Sequence, residues 1–317
     1  MTTAQSTARY EVLPSIPDLG KVMRNIVVGM SPVGGTDHVA DKDPQSRLEV
    51  RGVTVDVDNL AAYSRATGLR LGNDLPPTYL FVIGFPLTME LMSRPDFPFA
   101  PVGAVHVANV ITQKRAPRVD ETFTVRAHAE NLRPHRKGLL IDIVTEFFVE
   151  GEGPLGEPVW SQTATMLSQG TSFAKNAPVS LTTRGLDDAR MLPKPETPEV
   201  AANAQWKWTR DNVRAYVDAS GDSNPIHTSN LGAKAFGFPS VIAHGMYSAA
   251  SVLQLLEGRL GGALRYSVEF HKPVVIPARV AAWALPGSAG DGCSTSIQLR
   301  SASKPEKLHL NAEVTQL

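Results

Sequence analysis

The sequence predicts an α+β protein built from the same unit twice, each unit an antiparallel sheet wrapped around a central helix. Three observations predict this. In the second half of the chain, a helix-like segment is followed by runs of alternating apolar and polar residues, the pattern of half-buried strands. Similar segments occur in the same order in the first half, at an offset of 153 residues (211 − 58 = 153 and 221 − 68 = 153). The length of 317 residues leaves room for two domains that each bury a core.

The first helix of the second unit is predicted over residues 210–220. Thr209 is a candidate N-cap, and Gly221 stands where a helix commonly ends. The apolar residues of this segment fall on one face: Val213, Tyr216 and Val217. A second helix is predicted from Met246 to Leu256, where Ala and Ser among larger apolar residues allow close packing against a curved sheet.

Four strands are predicted after these helices. The alternation is clearest from Leu264 to Phe270, where every second residue is apolar. It returns over Thr295–Leu299 and over Leu308–Val314, and a weaker strand is predicted over Val280–Leu285 between two prolines. Because a run of strands follows a helix, we expect an α+β architecture in which the sheet wraps the helix.

The first unit repeats this order. Val57–Gly68 runs parallel to Arg210–Gly221 and is predicted to be the matching helix. The apolar segment Pro76–Met92 is interpreted mainly as a plain core helix or loop. Three strand-like runs then follow: Val119–Ala129, Leu139–Val149 and Val159–Gln169.

The chain is thus predicted to contain four segments. The N-terminal extension contains two turn-rich stretches, Ser31–Thr36 and Asp41–Pro44, and is expected to be loop or weakly ordered. The linker is rich in proline among charged residues, a composition typical of a semi-rigid connection. The predicted segments are the extension (1–48), the first unit (49–170), the linker (171–200) and the second unit (201–317).

The connection between the two helices of the second unit carries the most informative chemical groups. Asp222 and His227 lie five positions apart across Asn224-Pro225, and Gly245 precedes the second predicted helix. A carboxylate and an imidazole can transfer protons, and a glycine amide can stabilise an oxyanion. The same residue types also suit an ordinary turn. The well-marked helices on both sides favour the catalytic interpretation.

The first unit lacks these groups. The constant offset places Leu69 opposite Asp222 (69 + 153 = 222) and Asp74 opposite His227 (74 + 153 = 227). We therefore expect one active site per chain.

The second unit resembles the MaoC-like, (R)-specific enoyl-thioester hydratases, whose fold is called the hotdog. The resemblance rests on Gly221-Asp222-x-Asn224-Pro225-x-His227 followed by His244-Gly245-Met246. From about residue 50 onward, the layout resembles the two-hotdog (3R)-hydroxyacyl-thioester dehydratases of actinobacterial type, including Arg126–Arg133 followed by Gly138-Leu-Leu. Loss of the Asp/His dyad from the first unit is normal for such enzymes.

The family implies reversible syn hydration of a trans-2-enoyl thioester to the (3R)-hydroxyacyl thioester. This reaction needs a base for water at Cβ, an acid at Cα and donors for the thioester oxygen. Asp222 and His227 can share the first two tasks, and which of them is the base stays open. Gly245 is the candidate amide donor. Asn224 and Pro225 are expected to shape the turn, and His244 is interpreted as a structural histidine.

The expected substrates are thioesters of coenzyme A or of acyl carrier protein. In the related enzymes the degenerate half helps to house the acyl chain, which makes Phe85, Leu87 and Met89 candidates for a substrate tunnel. Several basic residues are candidates for contacts with carrier phosphates or acidic carrier surfaces, although solvated surface charge is the preferred interpretation of each. They are Lys114, Arg115, Arg133, Arg136, Lys137 and Lys234.

Two other function classes stay open. A thioesterase on the same fold would aim a carboxylate at a water near the carbonyl, but Asn-Pro-x-His is not the usual carrier of that role. A noncatalytic acyl-binding protein would have no need of an intact Asp222 and His227. Release of free thiol from acyl-CoA would distinguish the first of these from a hydratase.

Composition limits the function classes, the bound groups and the compartment that the sequence allows. The net charge is zero, with 31 basic and 31 acidic residues, so no overall field favours nucleic acid. The histidine spacing matches no usual zinc site, and we predict neither a metal nor a cofactor. The single Cys293 excludes an internal disulfide.

No apolar run approaches the ~20 residues that span a bilayer, and the N-terminus lacks a secretory signal, so we expect a cytoplasmic protein. Homodimerisation is left open.

Overall fold

The structure of the chain is a computed structural model that describes residues 9–29, 38–151, 156–185, 191–287 and 293–317. The predicted loop at Ser31–Thr36 lies outside these residues. Among the described helices, none is both long and apolar enough to cross a membrane.

The first half contains a strand and helix at its N-terminus, a pair of helices and a series of long strands. Its elements in chain order are β1 (Glu11–Leu13), α1 (Leu19–Gly29), β2 (Arg47–Val53), α2 (Val57–Thr67), α3 (Tyr79–Met92), β3 (Ala104–Gln113), β4 (Phe123–His135), β5 (Gly138–Val149), β6 (Trp160–Gln169) and the short α4 (Val179–Thr182).

The elements of the second half follow the same order, with two additional short helices between the two main ones. They are β7 (Ala204–Trp208), α5 (Arg210–Ser220), α6 (Pro225–Thr228), α7 (Asn230–Ala235), α8 (Gly245–Val252), a 3₁₀ helix (Leu253–Leu256), β8 (Leu264–Phe270), β9 (Ala278–Pro286), β10 (Ser294–Ser301) and β11 (Leu308–Gln316).

The eleven strands within the described ranges form one continuous sheet, in the order β1-β2-β4-β5-β6-β3-β8-β11-β10-β9-β7. The order β2-β4-β5-β6-β3 in the first half matches β7-β9-β10-β11-β8 in the second. The two series meet where β3 pairs antiparallel with β8, from Ala108 opposite Glu269 to Gln113 opposite Leu264. The two halves are therefore copies of one topology related by an approximate two-fold axis, as the α+β double hotdog predicts.

The repeat predicted from sequence is seen directly in α2 and α5. Both helices are 11 residues long. Each ends at a glycine in the left-handed region, Gly68 with φ of 74° and Gly221 with φ of 72°. The equivalent residues Tyr63 and Tyr216 face each other, with ring centroids 6.1 Å apart. A positive φ favours glycine, which explains why both helices stop at this residue type.

Each half has one helix buried on nearly all sides, around which the sheet curves. In the second half this is α8, in which all seven residues after Gly245 are buried. In the first half it is α3, which confirms a core helix within Pro76–Met92. The two halves also interlock, because α3 contacts α5 and α2 contacts α8.

The strands predicted in the second half are confirmed. The clearest one has the predicted limits, Leu264–Phe270. The three in the first half are confirmed with shifted ends, since β4 begins at Phe123 and runs on to His135. The sequence analysis missed β2, β3 and β7. In β3 the alternation is interrupted by a register shift between His106 and Ala108, which breaks the period of two.

The N-terminal extension is more ordered than predicted, and the loop interpretation is wrong for two of its parts. Glu11–Leu13 forms β1, which pairs parallel with β2, and Leu19–Gly29 forms α1, which packs against α3. Asp41–Pro44 is a loop, as predicted, but Asp43 holds it in place by accepting the Leu132 backbone N–H at 2.7 Å. The apolar face of α1, with Val22 and Ile26 buried, supplies the free energy for this order.

The segment predicted as a linker follows the sheet of the second half. The buried carboxylate of Glu269 accepts the Leu192 backbone N–H at 3.2 Å. The guanidinium of Arg300, only 2% exposed, donates to the carbonyl oxygens of Pro195 at 3.2 Å and Glu196 at 3.0 Å. These charged groups fix the path of the backbone between the two halves.

Candidate active site

The turn between α5 and α6 positions Asp222, the first residue of the predicted pair. Gly221 ends α5, and the next residue, Asp222, accepts the Asn224 backbone N–H on Oδ1 at 3.2 Å. Asn224 in turn caps α6 by accepting the Ile226 N–H at 3.2 Å, and Pro225 occupies the first turn of that helix. Proline suits this position because the amide it lacks would have no partner there. The roles predicted for Asn224 and Pro225 agree with this geometry.

The short α6 presents His227 to the same space. Its Nδ1 lies 2.8 Å from the carbonyl oxygen of Ile242, so Nδ1 carries the proton and donates. Nε2 is then left with a lone pair that can accept a proton. Burial lowers the pKa of His227, while Asp222 and the Ile242 carbonyl raise it, and the pKa stays below its ordinary value. The imidazole is therefore neutral near pH 7.

His244 lies against both members of the dyad. Its ring stacks on that of His227 with centroids 3.6 Å apart. Its Nε2 is 3.0 Å from the backbone oxygen of Asp222 and 3.6 Å from Oδ2 of the same residue. Burial and the neighbouring His227 bring the pKa of His244 down to about 3. His244 is thus a buried neutral group that fixes the position of both catalytic candidates.

Gly245 is the first residue of α8 and follows His244 directly. The first backbone N–H groups of a helix have no acceptor within the helix, and the helix dipole favours negative charge beside them. An added Cβ at Gly245 would lie only 3.0 Å from the Phe270 ring. Glycine therefore lets Phe270 pack closely at this point, and it leaves the backbone amide open to an oxyanion.

Asp222, His227 and His244 each place a ligand-type atom within 4.8 Å of the others. A water molecule between two such atoms can hydrogen bond to both at once. The same spacing and the oxygen and nitrogen donors also suit a divalent metal such as Zn²⁺. The spacing of the histidines along the chain gave no sign that the fold gathers these three groups.

Comparison with known proteins decides the family. Residues 193–300 match the family described as MaoC like domain. The chain is 40% identical over 274 residues to the 3-hydroxyacyl-thioester dehydratase X of Mycobacterium tuberculosis, covering 86% of this chain and 90% of that protein. The chain belongs to the MaoC-like dehydratase family.

Solved structures of this family have the same fold. The crystal structure of HtdX from Mycobacterium tuberculosis superposes with a TM-score of 0.70 at 38% identity, covering 86% of this chain and all (100%) of that one. A MaoC-like dehydratase from Phytophthora capsici gives a TM-score of 0.66 at 18% identity, covering 89% of this chain and 98% of that one. The second likeness shows the fold alone. The double hotdog and the family predicted from the sequence are confirmed.

The residues opposite the dyad in the first half lie away from any such site. Leu69 is buried in the hydrophobic core. The Asp74 side chain is 70% exposed and lies 3.9 Å from Arg118. The first half of this MaoC-like chain has no counterpart of α6 after its Gly68, so the local backbone differs as well as the residue types.

The three candidate tunnel residues lie on two different faces of α3. Phe85 and Met89 are partly buried and continue the stripe that begins at Phe81, whose ring centroid is 5.6 Å from that of Phe85. Leu87 is fully buried among residues of the opposite side. Residues two positions apart in an α-helix point about 200° away from each other. Leu87 therefore does not share the face of Phe85. It faces away from Phe85 and Met89, and only these two are candidates for a shared lining.

The sequence analysis also missed His106 on β3, because β3 was not predicted. Its ring centroid is 6.2 Å from Phe81 and 5.0 Å from Phe270, next to the dyad. The available signal was the number of β-branched residues in this segment, Val105, Val107, Val110 and Ile111, but the bulge breaks any alternation with polar residues.

Half of the basic residues considered for carrier binding have acidic partners. Arg133 forms an ion pair with Asp142 at 2.9 Å, and Arg115 pairs with Glu121 at 2.7 Å. Lys114 pairs with Glu157. These pairs agree with the preferred interpretation of ordinary structural or surface charge.

Proposed function

We propose that this MaoC-like enzyme catalyses the reversible hydration of trans-2-enoyl thioesters to (3R)-hydroxyacyl thioesters, carried by CoA or by acyl carrier protein. The single observation that carries the proposal is the placement of Asp222 and His227 within 4.8 Å, beside the free N-terminus of α8. The family relationship, including a relative named as a 3-hydroxyacyl-thioester dehydratase, supports it. A cytoplasmic location stays part of the proposal.

The geometry supports a concerted role for the dyad. A water molecule held between the Asp222 carboxylate and Nε2 of His227 loses a proton to one of them as its oxygen bonds to Cβ. A proton is delivered to Cα on the same face, because both groups lie on one side of the bound chain.

The thioester oxygen gains negative charge as the C–O bond forms. In this proposal, the Gly245 backbone N–H donates to that oxygen, and the positive end of the α8 dipole adds to the stabilisation. The acyl chain then runs from the dyad along Phe81, Phe85 and Met89 of α3. In the reverse direction the same groups remove water from the (3R)-hydroxyacyl thioester.

The decisive experiment compares Asp222→Asn and His227→Ala with the wild type on crotonyl, octenoyl and longer enoyl thioesters, each on both carriers. Either change should reduce hydration by about 10²- to 10⁴-fold with little change in Tm, because each removes one proton-transfer group. Asp74→Ala, at the matching position of the first half, is the control and should leave kcat unaltered. Near wild-type rates in Asp222→Asn would refute the assignment.

Chiral analysis of the product tests the stereochemistry. Only the (3R) product should form, because the dyad approaches the bound chain from one side. Formation of the (3S) enantiomer would contradict the proposal. Release of free thiol without hydration would instead favour a thioesterase, and tight binding with neither reaction would favour a noncatalytic acyl-binding protein.

A further inference from the structure

Strand β3 of the first half carries two polar side chains into the apolar layer beside the dyad. Asn109 is 0% exposed, and among the described residues neither atom of its carboxamide has a hydrogen-bond partner of good geometry. Nε2 of His106 is likewise buried and unpartnered within the described part of the chain. Leaving a buried polar group unpaired costs free energy, so each such group in a folded protein calls for a physical explanation.

His106 lies among groups already assigned to the active site. Its ring contacts Phe270, with centroids 5.0 Å apart, and Phe270 packs against Gly245. On its other side it stacks on Phe81, where the proposed acyl stripe of α3 begins. Phe270 therefore contacts both His106 and Gly245, and His106 also adjoins the start of the acyl stripe on α3.

The charge state of His106 makes it a hydrogen-bonding group. Burial lowers the pKa of His106 to about 4, against smaller upward effects from hydrogen-bonding contacts with the Ala108 backbone and the Asn109 side chain and from the charge of Asp222. The contact with Asn109 falls short of good hydrogen-bond geometry, so both side chains keep bonding capacity for a ligand. A neutral imidazole has one N–H donor and one acceptor. The effect of Asp222 also shows that the dyad lies within electrostatic reach of β3.

We propose that His106 and Asn109 form a polar subsite that donates a hydrogen bond to the thioester oxygen of the substrate, opposite the Gly245 N–H. That the bound group is a thioester oxygen rests on the proposed hydratase function. An enoyl group without further substituents offers no other acceptor, since the attacking water is held by Asp222 and His227. Oxyanion sites in acyl chemistry combine several donors, and Gly245 supplies only one. The first half, which lacks the dyad, would then still contribute to the active site.

The first test uses Asn109→Leu, which keeps nearly the same volume and removes the unpaired carboxamide. The free protein should become more heat-stable, because an unsatisfied buried polar group is replaced by an apolar one. Hydration of crotonyl thioester should fall several-fold. Asn311→Leu is the matched control, since Asn311 is also buried in the sheet but donates to the Pro193 carbonyl at 3.1 Å. It should lower Tm and leave the rate unaltered.

The second test measures binding without catalysis. Dissociation constants of S-butyryl pantetheine and S-butyl pantetheine, which differ by the carbonyl oxygen, are determined by ligand-observed NMR for the wild type, Asn109→Leu and His106→Ala. The wild type should prefer the thioester by roughly tenfold, in line with the strength of one or two hydrogen bonds. Both variants should show a smaller preference. Asn311→Leu should keep that of the wild type.

The outcomes separate this proposal from the proposed function. An unchanged thioester preference in both variants would overturn the subsite even if hydration is confirmed. Binding of neither pantetheine compound by the wild type would overturn it as well. Absence of hydration activity, with a thioester preference that the variants reduce, would refute the hydratase while supporting the subsite.

Discussion

His227 and His244 stack face to face at 3.6 Å between ring centroids, and this contact shapes the chemistry of the site. Two protonated imidazoles at that distance would repel each other, and burial disfavours charge on either. Burial lowers the pKa of both imidazoles, and the neighbouring His227 lowers the pKa of His244 further. The site therefore presents neutral imidazoles and one carboxylate near pH 7, a state in which His227 can accept a proton.

The buried neutral His244 predicts how stability depends on pH. Its pKa is about 3 in the folded protein and near 6.5 when unfolded, so the unfolded chain binds more protons between these values. The stability contributed by His244 is complete above pH 6.5 and is lost as pH falls toward 3. Tm should thus fall across this range. The fall in Tm, measured by calorimetry, should be smaller in His244→Phe than in the wild type. An equal fall in the two proteins would contradict the prediction.

The triad of Asp222, His227 and His244 also predicts a response to metal ions. We expect no resident metal, so treatment with a chelator should leave the hydration rate unchanged. Added Zn²⁺ should inhibit, because the three ligand atoms lie within 4.8 Å and the ion would occupy the lone pairs needed for proton transfer. Asp222→Asn should bind Zn²⁺ more weakly in calorimetry. A chelator-sensitive activity restored by metal would refute the proton-transfer mechanism.

At the level of secondary structure, α3 separates two functions on its two faces. The face with Gly84, Leu87 and Leu91 is buried, and an added Cβ at Gly84 would lie 3.0 Å from Thr145 of β5. The face with Phe85 and Met89 is only partly buried and adjoins the site. One face therefore supports the sheet, and the other is available to an acyl chain.

This separation gives a paired prediction for α3. Phe85→Ala should change the preference among long acyl chains and spare short ones, because each methylene that loses an apolar contact loses roughly 0.8 kcal/mol. Leu87→Ala should instead lower the free energy of unfolding by about 2–5 kcal/mol, with equal effects on all chain lengths. The measurements are kcat/KM over a series of chain lengths and denaturant unfolding. Equal effects of Phe85→Ala on short and long chains would refute the tunnel.

In the whole molecule, the two halves depend on each other. The sheet continues across the β3–β8 pairing, and the central helix of each half contacts a helix of the other. The chain between the halves is held by Arg300, which bonds three backbone carbonyl oxygens in addition to Gln298 at 2.7 Å. The covalent connection and these contacts together keep residues of the first half close to Asp222 and His227 of the second half.

Replacement of Arg300 tests the importance of this connection. Arg300→Met removes the donors to Pro195, Glu196 and Pro305, and hydrogen bonds from charged groups contribute about 1.5–3 kcal/mol. The free energy of unfolding should fall by an amount of that order, while kcat stays near the wild-type value. Lys304→Ala, at an exposed position nearby in sequence, is the control and should change neither. A large loss of kcat without loss of stability would show that the linker acts on the site itself.

The parts of the fold that sequence could predict are those with a local cause. Thr209 and Gly221 mark the ends of α5 because helix ends need particular residue types. β8 was predicted because its alternation is unbroken. The helix α1 was missed because its stability comes from contact with α3, and β3 was missed because a bulge shifts its register.

The sequence by itself determined the double hotdog, determined the family through its resemblance to known hydratases, and predicted Asp222 and His227 as the catalytic pair. Repeated patterns and the residue types of a short turn are local features, so sequence alone can show them. Only the tertiary structure decided that His244 stacks on His227, that Leu87 turns away from Phe85, and that β3 places His106 against Phe270 and buries Asn109. The physical reason is distance along the chain. His106 and Phe270 are brought together by strand pairing between the two halves, and no local pattern in either segment specifies that contact.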